Sequence, residues 1–145
     1  MSRETPGMSW RSREVGMSVW LRIVVGALLL AHGLVHLMYL TPQPDDPAFP
    51  FRLDHSWLIP EPSRRSFALG LIAGTIAAFA LLALAVWGVP GLSSIWPVIT
   101  IMGSALSLVL LVTFWHRWLA IGVIIDVALI VIAATQPTWT NGIGG

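Results

Sequence analysis

Residues 118–136 read WLAIGVIIDVALIVIAATQ, an apolar run whose single charged residue, Asp126, lies near its centre. A bilayer core is crossed by about 20 mostly apolar residues, so this run predicts a transmembrane helix. A carboxylate at mid-membrane depth costs roughly 2.5–3.5 kcal/mol on insertion scales. Asp126 is therefore expected to face a partner, a cavity or a ligand.

Three more runs of the same kind lie at 19–40, 67–89 and 95–115. Together they predict an all-α fold: a transmembrane four-helix bundle, with an amino-terminal tail over 1–18, a long proline-rich loop over 41–66 and a carboxy-terminal tail over 137–145. The 145 residues are 56% hydrophobic and only 10% charged, a mix that excludes an ordinary soluble domain. There is no cysteine, which rules out disulfides and thiolate metal sites, and no lysine. A net charge of +1 without a basic run argues against nucleic acid as a partner. The lipid bilayer is the expected partner, and the expected location is the inner (plasma) membrane, crossed several times.

Aromatic residues mark the ends of the runs, as they do where hydrocarbon meets headgroups. Trp20 and Tyr39 bracket the first, Trp87 closes the second, Trp96 and Trp115 bracket the third, and Trp118 and Trp139 the fourth; Phe67 opens the second. Pro90-Gly91 suits a type II turn between the second and third helices. Ser94 is then the expected cap of the third, with Pro97 tolerated in its first turn. Only His116 and Arg117 separate Trp115 from Trp118, which predicts a tight antiparallel hairpin or a short break. Loop 41–66 carries six prolines, four acids and three arginines; it is expected to cover one end of the bundle, with 53–59 as a short interfacial amphipathic piece.

The first run follows Arg11 and Arg13, yet it is too long for the apolar core of a signal peptide and is expected to be retained. Arginines divide evenly, with Arg3, Arg11, Arg13 and Arg22 on one side and Arg52, Arg64, Arg65 and Arg117 on the other, so charge counting decides no orientation. Cytoplasmic termini are the working expectation, because the acidic loop dilutes its own arginines.

Two histidines, His32 and His36, stand one turn apart in the first run. At 1.5 Å per residue, His32 lies about 13 Å and His36 about 7 Å below the loop end of the first helix, and Asp126 about 12 Å below the same end of the fourth. The two helices run antiparallel, so His32 and Asp126 are level whichever way the protein faces. His55 in the loop and His116 in the short connection lie on the same side. A polar site of His32, His36 and Asp126 is expected, with His55, His116 and Arg117 as its gate.

Three chemistries suit such a set. His32, His36 and Asp126 could ligate one divalent metal ion as two histidines and a carboxylate. They could relay a proton, because histidine titrates near neutrality. Alternatively, Asp126 and His32 simply neutralise each other as a buried interhelical pair. Haem is disfavoured, because two histidines on one helix face cannot take opposite axial positions on one iron. Gly70 to Gly74 and Gly103 to Ser107 form small-xxx-small patterns, expected to pack helices internally rather than to form a homo-oligomer face.

The segment Ala31-His32-Gly33-Leu34-Val35-His36-Leu37-Met38, together with Phe114-Trp115-His116-Arg117, Gly122 and Asp126, resembles a group of small four-span bacterial membrane proteins with HGxxHL in the first helix. The resemblance implies the four-helix architecture and the importance of the histidine pair, and implies no reaction. In span count alone the chain also resembles the DoxX-like membrane proteins. The expected function is binding and relay rather than enzymatic turnover. The rival classes are an accessory subunit of a larger membrane complex, docking through Gly70 and Gly74, and a quinone-linked oxidoreductase component, which would need a haem or metal centre.

Overall fold

The computed structural model describes residues 17–42, 44–46 and 48–143. Arg3, Arg11 and Arg13, and the first sixteen residues of the expected amino-terminal tail, lie outside the described residues. Helices α1 (Val19–Leu34), α2 (Glu61–Val86), α3 (Trp96–Thr113) and α4 (Ala120–Thr135) alternate in direction, and no strand occurs among the described residues. With the 3-10 turns that extend α1 to Leu40 and α4 back to Arg117, all four are long and apolar enough to cross a membrane, as a multi-pass membrane protein requires.

Each boundary has a local cause. Ser18 caps α1, its Oγ accepting from the Leu21 amide at 3.3 Å. Beyond Leu34 the helix tightens into a 3-10 turn, Val35–Leu40. There the His36 imidazole donates to the carbonyls of His32 and Gly33, acceptors that α-helical continuation would use. The second helix begins at Glu61, six residues before the expected 67, because Pro60 and Pro62 suit a helix start and Glu61 complements the positive helix end. The loop is correspondingly shorter, 41–60. At its far end α2 closes in a Schellman motif: Gly88 has φ +90°, and the amides of Val89 and Gly88 donate to Leu84 and Ala85, each at 3.0 Å.

Gly91, at φ +85°, takes the left-handed conformation that the third position of a type II turn needs. Ser94 is not the cap of α3. Ile95 stands there without a side-chain bond, and the Ser94 hydroxyl donates back to the Gly91 carbonyl at 2.9 Å. Pro97 does fall in the first turn of α3. Between α3 and α4 the chain breaks at Phe114 and re-enters through a 3-10 turn, Arg117–Leu119, so the expected hairpin and the expected break are both present.

The loop forms no helix over 53–59. It is anchored instead on the carboxy-terminal end of α3, where Ser56 Oγ donates to the Thr113 carbonyl at 3.0 Å and the Trp57 indole to Val112 at 2.8 Å. These bonds satisfy carbonyls that a helix end leaves without intrahelical partners. Arg64 ties the first turn of α2 to the loop through the carbonyls of Ile59 and Asp54.

Helix α2 packs along both α1 and α3, and α3 packs along α4, whereas α1 and α4 form no comparable interface. The bundle is thus open along one side. Two apolar clusters fill it. Leu29, Phe79, Leu82, Val86 and Trp96 lie in the half away from the loop. Tyr39, Ile72, Leu110, Phe114 and Leu119 lie in the loop half. Tyr39 was expected at the headgroups; it is 2% exposed and packs edge-on against Phe51 of the loop.

Candidate functional site

Between the two apolar clusters every helix contributes polar side chains to one layer: His32 from α1 with His36 from its 3-10 extension, Thr75 from α2, Ser104 and Ser107 from α3, and Asp126 from α4. Asp126 and Ala133 are the only buried residues of α4. The carboxylate therefore forms α4's polar tie to the interior.

His32 Nε2–H donates to Asp126 Oδ1 at 3.0 Å, the cross-helix contact expected from their equal depth. Asp126 is fully buried, and its second oxygen, Oδ2, has no hydrogen-bond partner. The His32 side chain keeps 11% exposure, and its ring stands edge-on to Phe79, centroids 4.8 Å apart. With Nε2 as donor, Nδ1 of the neutral ring is a bare acceptor. His36 is placed differently. Its Nδ1–H donates to the carbonyls of His32 at 3.1 Å and Gly33 at 3.2 Å, so Nε2 accepts the Ser107 hydroxyl at 3.0 Å.

That arrangement separates two residues that helical spacing places together. The His32 and His36 rings are perpendicular with centroids 5.8 Å apart, and both nitrogens of His36 already have protein partners. Among the described residues no three histidines or acids are grouped to hold a metal ion. His32 and Asp126 meet; His36 does not join them as a third ligand.

The expected gate residues do not close over the pair. His55 is exposed in the loop, and His116 caps the 3-10 turn by accepting the Trp118 amide at 3.4 Å. Arg117 is exposed, its guanidinium 5.7 Å from the centroid of the Trp118 ring. Electrostatics outside the membrane are simple. Arg52 bonds Asp54 and holds its carboxyl below the usual carboxylate range, both through the hydrogen bond and through its charge.

A cavity of about 380 Å³ lies where α1 and α4 diverge. His32 and His36 form its polar wall, Leu28, Val35, Ile121 and Ile125 its apolar sides, and Phe51 and Trp118 its loop end.

The small-residue patterns resolve into separate roles. A Cβ on Gly103 would meet Ala78 at 3.0 Å and one on Gly74 would meet Leu106 at 3.1 Å, so both let α2 and α3 approach. Gly70 has nothing within 4 Å and is not an internal packing position. Ser107, expected only as a small packing residue, holds His36. Thr75 and Ser104 escape a reading by charge, yet each is fully buried with an unpartnered hydroxyl. The three-residue spacing of Ser104 and Ser107 on one face was the available signal. No family model matches the chain, and no curated protein or solved structure matches it either.

Proposed function

We propose that the chain is an integral membrane protein whose His32–Asp126 pair takes up and releases a proton at the wall of a bilayer-facing cavity. One observation carries this reading. The fully buried carboxylate is bonded on one oxygen only, to a histidine that itself lines the cavity. A proton arriving on His32 Nδ1 leaves an imidazolium that the adjacent carboxylate stabilises, and histidine is the side chain suited to such exchange near neutral pH. A divalent metal at His32 and Asp126 is the weaker reading, because His36 has no nitrogen free to complete the set.

Infrared titration of the protein in lipid nanodiscs tests the proposal. A carboxyl band that changes with pH, disappears in Asp126→Asn and shifts in His32→Gln is expected. The asparagine variant retains an oxygen for the His32 donor, so the fold should survive while proton exchange is lost. A spectrum without any titrating carboxyl or imidazole band would overturn the reading. Stoichiometric metal in the purified protein, lost in both variants, would instead favour the metal site.

A further inference from the structure

Apart from the Trp118 indole at its loop end, the side-chain polar contact that the cavity between α1 and α4 offers comes from its histidines, and the remainder is apolar. Of the two histidines in its wall, His36 has both nitrogens engaged. His32 has Nε2 engaged with Asp126, and its Nδ1 makes no hydrogen bond among the described residues. A bare imidazole nitrogen accepts a hydrogen bond and cannot give one. A fitting ligand therefore presents a donor. A carboxylate does not fit, since it brings a second negative charge towards Asp126 and meets a lone pair.

The rest of the wall sets the body of that ligand. Leu28, Val35, Leu111, Ile121 and Ile125 supply no charge, and about 380 Å³ is at the small end of ligand pockets. The route in is also visible. Leu28 is 65% and Ile121 62% exposed, on the two helices that share no comparable interface, so the opening faces the hydrocarbon. A ligand entering there is dissolved in the membrane.

We infer that this cavity binds a neutral, lipid-soluble hydroxyl compound of about single-ring size, its hydroxyl donating to His32 Nδ1 and its apolar body lying between α1 and α4. The inference rests on the proton-accepting reading of the His32–Asp126 pair and names the class of molecule that approaches it. The buried carboxylate holds the tautomer that keeps Nδ1 open, as an orienting carboxylate does for a histidine base.

The probe is para-octylphenol, followed by imidazole nitrogen NMR of the full chain in nanodiscs, with para-octylanisole as the control that has lost the donor. Saturable movement of the His32 Nδ1 resonance is expected with the phenol, and at least about tenfold weaker binding of the ether. Ile121→Trp and Ala31→Phe fill the cavity from exposed positions and should each weaken the phenol about tenfold while the pH-dependent infrared change of the His32–Asp126 pair persists. Equal affinity for phenol and ether, or unchanged affinity in both filled variants, overturns the inference. A pH-dependent His32–Asp126 pair without saturable phenol binding overturns it alone; a spectrum with neither a titrating carboxyl nor a titrating imidazole band overturns the reading beneath it.

Discussion

Asp126, Thr75 and Ser104 are fully buried, and each has an oxygen without a partner, but removing that oxygen has different consequences at each. The Thr75 hydroxyl is desolvated and gains no hydrogen bond, so Thr75→Val, which keeps the shape, is expected to leave stability unchanged or raise it by about 1 kcal/mol. Ser107→Ala is the opposite case. It strips the donor from His36 Nε2 and should cost about 1–2 kcal/mol, read as a lower midpoint of thermal unfolding in detergent. A stabilised serine variant and a destabilised valine variant would show that the partner assignments are reversed. The histidine pair was legible in the sequence as two rings on one helix face. Their separation into a His36 with both nitrogens tied and a His32 tied through Nε2 alone was not, because it depends on a hydroxyl 71 residues away.

Glycines show why a motif has to be judged on the element that faces it. Gly33 lies where a Cβ would stand 2.7 Å from Phe79 Cβ, whereas Gly70 has open space. Gly33→Ala is expected to push α1 from α2, costing about 1–3 kcal/mol and disturbing the His32 resonance. Gly70→Ala should be neutral or gain up to about 1 kcal/mol from helix propensity. Thermal unfolding of the two variants side by side checks this. The loop has its own test. Arg52 depresses the Asp54 carboxyl, so the pair's contribution is complete above the ordinary carboxylate range and is lost as pH falls through Asp54's lowered value. In Arg52→Gln, carboxyl NMR should show Asp54 titrating at a higher pH. Global stability should change little, since both side chains are largely solvated.

Across the whole molecule, an 18-residue apolar stretch of the fourth span is only 17% buried and one of the first 28%, against 44% for each of the middle two. The middle pair carries the packing, and the outer pair is joined across the open side by His32 and Asp126. Replacing both, as His32→Phe with Asp126→Leu, should therefore leave helix content unchanged by circular dichroism. The distance distribution between spin labels at the exposed Leu28 and Ile124 should broaden or lengthen, and an unchanged one would refute the bridging role.

Length and hydropathy alone determined the four helices, their alternating direction and the common depth of His32 and Asp126, because a bilayer core demands a set length of apolar helix and the rise per residue converts position into depth. Proline chemistry, legible in principle, placed the true start of α2 inside a polar segment that a hydropathy reading leaves to the loop. Only the tertiary structure decided that α1 and α4 stand apart with a cavity between them, that Ser107 binds His36, and that Gly70 is idle. Those outcomes depend on which helix faces meet. Four helices that are apolar all round give little directional signal in hydropathy, so the buried polar layer and the close glycine contacts, not the apolar pattern, select the arrangement.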